Sequence, residues 1–91
     1  MIIRVKAFAR FGEVLGKELD LELNHGSDIE GLLAVLCASR DAHDMIFDET
    51  GMIRDYVNIL KGGRHIRSLD GVRTALEDGD EVAIFPPVAG G

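Results

Sequence analysis

Cysteine and proline are scarce in this chain of 91 residues: there is one cysteine, and the two prolines are adjacent, near the C-terminal end. A lone cysteine cannot close an internal disulfide, so nothing argues for an exported, cross-linked domain. Long apolar runs are also missing. No stretch approaches the ~20 residues needed to span a bilayer, and a membrane role is not expected. The opening Met1-Ile2-Ile3-Arg4-Val5-Lys6 interrupts its apolar residues with charge, so no secretory h-region is expected either. Positive charge is in deficit, at a net −6, which sets the chain against phosphate backbones and anionic lipid. There is no internal repeat, low-complexity tract or interdomain linker. The 46% hydrophobic and 29% charged composition excludes a wholly disordered chain. One small acidic domain is expected, cytoplasmic, binding neither nucleic acid nor membrane.

Residues 2–9 alternate, with Ile3, Val5, Ala7 and Ala9 on one face and Ile2, Arg4, Lys6 and Phe8 on the other. That period of two predicts a half-buried strand. A short amphipathic turn over residues 10–15 leads to Gly16, which permits a reversal. Leu19, Leu21 and Leu23 then alternate with acidic residues in a second, antiparallel strand. Ser27 and Glu30 have capping-box spacing, and Ile29, Leu32, Leu33, Leu36 and Cys37 form one helical apolar face ending near Ser39 or Arg40. Residues 48–51 signal a turn, with Met45, Ile46 and Phe47 tucked against the core. A strand is expected over 56–61, with a Gly62-Gly63 turn into 64–67 and a turn or short helical piece over 69–76. After the tight turn at 77–80 comes a final strand, 81–86, with Val82 and Ile84 inward. The class is α+β, a sheet with one main helix across it.

Interior chemistry is sparse. His25, His43 and His65 lack ligand spacing, so no metal is expected. Cys37 sits on the apolar helix face with no base or cation to activate it. Gly62, Gly63 and Gly71 match neither a dinucleotide fingerprint nor a phosphate loop, and the acidic pairs at 48–49 and 78–80 suit turns. The interior residues do not make an enzyme, and no bound cofactor is expected. The tail Phe85-Pro86-Pro87-Val88-Ala89-Gly90-Gly91 is different. Paired prolines hold an extended segment away from the sheet, and two glycines without Cβ fit a narrow channel. A free carboxylate becomes reactive once activated, most simply by adenylation, and this chain has no site for ATP. Another protein must supply it, which makes this chain a substrate and carrier. Phe8, Leu60 and Phe85 fall opposite the core face of their strands, and if those strands adjoin they form an apolar partner surface.

The tail, with the preceding Leu76-Glu77-Asp78-Gly79-Asp80-Glu81-Val82-Ala83-Ile84, resembles the C-terminal signature of the MoaD/ThiS sulfur carriers. Val5-Lys6-Ala7-Phe8-Ala9-Arg10 is similar to the family's opening strand. Val57-Asn58-Ile59-Leu60-Lys61-Gly62-Gly63-Arg64 is similar to its archaeal branch, which includes small ubiquitin-like modifiers. Gly62-Gly63 stands where many members have Asn-Gly. The resemblance implies a ubiquitin-like β-grasp domain over 1–85, a mixed sheet of four to five strands with the first and last parallel and adjacent, and an extended tail over 86–91. It implies that an E1-like enzyme adenylates Gly91, that a thiocarboxylate forms, and that Pro86, Pro87, Val88, Ala89 and Gly90 thread into a MoaE-like large subunit of molybdopterin synthase. Alternatives are an isopeptide to a target lysine, sulfur donation to thiamine or tRNA thiolation, and an adaptor with an inert tail.

Overall fold

A five-stranded mixed sheet, in the order β2-β1-β5-β3-β4, carries the helices on one face. The computed structural model describes residues 1–87. The elements are β1 (Ile2–Ala7), α1 (Arg10–Leu15), β2 (Glu18–Glu22), α2 (Ile29–Leu36), α3 (Arg40–Ile46), β3 (Asn58–Lys61), β4 (Arg64–His65) and β5 (Glu81–Phe85). Two 3-10 turns, Ile66–Ser68 and Gly71–Arg73, lie between β4 and β5. The first and last strands pair in parallel, Val5 beside Val82 and Ala7 beside Ile84, and β2 and β3 flank them antiparallel. This is the β-grasp arrangement of the expected α+β class.

The period-two pattern sets the core. Ile3, Val5, Val82, Ile84 and Ile59 point inward and are essentially inaccessible, as are Ile29, Leu32 and Leu33 of α2 packed across them. Truncating any of these isoleucines or leucines to alanine costs about 2–5 kcal/mol, because the lining cannot fully collapse into the hole. Outward ion pairs of Arg4 with Glu18 (3.3 Å) and Asp20 (3.2 Å) are half-exposed and add little. Gly62 and Gly63 both have positive φ, 56° and 83°, as the two-residue β3–β4 turn demands.

The structure corrects several local expectations. Asp28, not Ser27, caps α2: its carboxylate accepts from the Gly31 N–H at 2.9 Å, while the Ser27 hydroxyl donates to the Asn24 carbonyl. The helix stops at Leu36, short of Ser39, and Cys37 follows as its C-cap. Ser39 instead caps α3, accepting from the Ala42 N–H at 3.1 Å. Ala9 does not extend the inward row of β1. Its φ of 53° and ψ of −132° turn the chain sharply into α1, and the residue is exposed. β3 begins at Asn58 rather than at residue 56, because the Val57 N–H closes a turn onto Arg54.

Candidate functional site

The site builds up from the ends of β1 and β5. The Phe8 N–H donates to the Ile84 carbonyl at 2.9 Å, extending the parallel ladder one step past Ala7. The left-handed turn at Ala9 then takes the chain away and leaves Phe8 at the rim, 49% exposed. Phe85 follows the buried Ile84 and therefore faces outward. The two rings meet edge to face, centroids 6.5 Å apart at 80°. Leu60 lies directly opposite Ala83 in the β3–β5 register, one diagonal step from Phe85, and is half-buried. The three expected apolar residues thus share one outward face. Lys6 borders it, paired with Glu81 at 3.5 Å, and so does the Asn58–His65 contact at 3.2 Å.

The segment leaving this face is Pro86-Pro87, whose lack of N–H groups ends the ladder. Pro86 is half-buried and Pro87 exposed, and both line a groove with Phe11 and Val14 of α1, Met45 of α3, and Tyr56. Arg10, Asp41 and Asp44 supply its charges. Sequence reasoning gave α1 and α3 no part in the exit of the tail. The one signal there is the pair of half-exposed apolar residues, Val14 of α1 and Tyr56 of the loop before β3, which gains meaning only when the fold joins them. Val88, Ala89, Gly90 and Gly91 lie outside the described residues.

Elsewhere the polar groups have local work. The Cys37 thiol is buried and pushed up to about 11 by desolvation, which makes it a poor nucleophile. His65 accepts from the Arg67 N–H at Nδ1 while Nε2 faces the Asn58 amide oxygen. No cluster of histidine, cysteine and carboxylate suited to a metal occurs among the described residues. Asp48 accepts from the Thr50 hydroxyl and N–H and from the Met52 N–H, contacts that hold its carboxyl below the usual range. Asp78 accepts from the Ile2 N–H and Asp80 from the Glu77 N–H, so these acids serve turns. A cavity of about 590 Å³ lies between α2 and the 3-10 turns, lined by Leu33, Phe47, Met52 and Ile66. It includes neither Phe8, Phe85 nor either proline. No helix among the described residues is long and apolar enough to cross a membrane.

Comparison with known proteins agrees with this geometry. Residues 5–91 match the ThiS family. Small archaeal modifier protein 3 of Haloferax volcanii is 40% identical over 92 aligned positions, covering 100% of both chains. A molybdopterin synthase sulfur carrier subunit of Chlamydomonas reinhardtii is 39% identical, again covering 100% of both. The crystal structure of SAMP1 from Haloferax volcanii superposes with a TM-score of 0.84 at 28% identity, covering 100% of each chain. The chain therefore belongs to the ThiS family of ubiquitin-like β-grasp proteins, whose members are small sulfur carriers and protein modifiers rather than catalysts.

Proposed function

We propose that this chain is a cytoplasmic sulfur carrier for molybdenum cofactor synthesis, the small subunit of a molybdopterin synthase. An E1-like partner binds ATP and activates the tail. A Gly91 carboxylate oxygen attacks the α-phosphorus, and pyrophosphate leaves. Hydrosulfide then attacks the acyl carbon, a C–S bond forms, the C–O bond to AMP breaks, the S–H proton goes to water, and a thiocarboxylate remains on Gly91. Gly90, Ala89, Val88, Pro87 and Pro86 thread into the large subunit, while Phe8, Leu60 and Phe85 dock the domain and fix the direction of entry.

The observation that carries this reading is the junction of β5 with the tail. A central strand, anchored by parallel pairing to β1, delivers two prolines beside the outward-facing pair of exposed Phe8 and half-buried Phe85. A rigid root beside an apolar face suits insertion of a narrow tail, because little orientational freedom is lost on docking. The sulfur carrier name of the Chlamydomonas relative supports the molybdopterin outlet. A second reading, an isopeptide from Gly91 to target lysines, is favoured by the modifier name of the Haloferax relative. Thiamine and tRNA thiolation are further outlets for the same thiocarboxylate.

The test is deletion of Gly91, with Gly90→Trp beside it, assayed by ATP-dependent pyrophosphate release with the adenylating enzyme. Both variants are expected to fold with unchanged thermal stability and to lose activation. Full activation of the truncated chain would overturn the reading.

A further inference from the structure

The two edges of the sheet differ. At one, β4 is two residues long and runs straight into a 3-10 turn. At the other, β2 runs for five residues in unbroken register with β1, and no strand among the described residues pairs with its outer side. The β1–β2 ladder shows which of its backbone groups are free. Met1 and Leu23 bond to each other in both directions, at 2.8 Å each, and the Ala7 N–H donates to the Lys17 carbonyl at 3.0 Å. Antiparallel bonding alternates along a strand, so Leu19, opposite Val5, and Leu21, opposite Ile3, also turn their N–H and C=O groups toward β1. Those of Glu18, Asp20 and Glu22 therefore point the other way, to the open edge. They line it with three donors and three acceptors at ladder spacing.

The side chains follow the same division. Glu18, Asp20 and Glu22 are exposed on the outward face, while Leu19 and Leu21 are half-buried against the core on the inward one. Arg4 pairs with Glu18 and Asp20 from the β1 side, and Glu22 has no ion pair among the described residues. Three carboxylates thus face a single cation. A second copy is a poor neighbour here, because two such edges set antiparallel bring acid against acid. A cationic strand meets the opposite condition.

We infer that the β2 edge is a docking site for an extended cationic segment of another protein, which adds to the sheet as a further antiparallel strand. The segment alternates lysine or arginine with apolar residues. Each basic residue lies opposite Glu18, Asp20 or Glu22, exchanges both backbone bonds with it and meets its carboxylate on the outward face. The residues between them turn inward beside Leu19 and Leu21. β1 separates β2 from β5, so the edge strand lies about 10 Å from the strand that carries the tail. The site can be filled while Gly91 is engaged elsewhere, and it does not rest on the activation of Gly91.

The test titrates the full chain with the peptide acetyl-Lys-Val-Lys-Val-Lys-Val-Lys-amide, by calorimetry and by amide hydrogen exchange. The expected result is one peptide per chain, with exchange slowed at the Glu18, Asp20 and Glu22 N–H groups. Methylating the lysine backbone nitrogens should abolish binding. Methylating those of the valines, which point away from β2, should leave it. An E18Q/D20N/E22Q variant should bind about tenfold or more weakly, since three cross-strand charge pairs are lost. A peptide of the same composition, its lysines grouped first and its valines last, should bind more weakly by a similar factor. Equal binding of that peptide, tolerance of lysine methylation, or unchanged exchange at the three N–H groups overturns the inference. So does absence of binding. Protection of the same three groups in the free protein, rising with its concentration, would make a second copy the occupant and overturn it too.

Discussion

Phe8→Ala separates binding from folding in one protein. The side chain is 49% exposed, so truncation removes about half of the roughly 1.5–3 kcal/mol that full burial of a large apolar residue contributes. Loss of its half-exposed edge contact with Phe85 adds about 0.5 kcal/mol. The expected destabilisation is therefore roughly 1–2 kcal/mol, read by urea unfolding. Phe11→Ala is the internal control, since Phe11 is 3% exposed and its loss should cost about 3–5 kcal/mol. Affinity for the adenylating enzyme is expected to respond in the opposite order. A central apolar anchor contributes about 2 kcal/mol or more, close to thirtyfold in Kd, so Phe8→Ala should weaken binding by at least that factor. Phe11→Ala, corrected for its folded fraction, should bind normally. Unchanged affinity per folded Phe8→Ala molecule would refute the assignment of this face as the docking surface.

Other perturbations test the local account. Cys37→Ser should accept sulfur normally while losing about 1–3 kcal/mol in chemical denaturation, because a hydroxyl replaces a buried thiol; sulfur transfer lost by a folded variant would move the chemistry from the tail to the thiol. Asp28→Ala should cost about 1 kcal/mol by loss of the α2 cap, and Ser27→Ala well under half of that, a ranking that thermal melts would reverse if Ser27 were the cap. Asp48, held below the ordinary carboxylate range by Thr50 first and Met52 after it, favours the folded state above its unfolded pKa. That contribution is lost as pH falls through the lowered folded value. Melting curves of the wild type and Asp48→Ala should therefore converge as the solution is acidified below the ordinary carboxylate range, and a constant gap would contradict the linkage.

Much of the framework was legible because its signals are local and repeated. The alternation of Ile3, Val5 and Ala7 and of Val82 and Ile84 identified the two strands that the fold makes central, and the row of leucines through β2 identified a third. The Pro86-Pro87 break and the paired glycines marked the tail without any knowledge of packing. What escaped depended on tertiary context. α3 spans seven residues and buries only Ala42 and Ile46, too few to show a helical period. Ser27 and Asp28 are neighbours with equal capping chemistry, and only the extended backbone of Asp28 decides between them. Ala9 read as another strand residue, since nothing in its side chain announces a positive φ. The adjacency of Phe8 and Phe85 came from the family resemblance, because single-strand patterns say nothing about which strands pair.

The central claim is that the reacting atom of this protein is carried on Gly91. The intact mass of the chain, purified from its native cell with and without its adenylating enzyme, tests this most directly. The account predicts a species heavier by one sulfur-for-oxygen exchange, mapping to the C-terminal fragment and disappearing when the enzyme is absent. An unmodified mass in both strains, or a sulfur retained on Cys37, would contradict it.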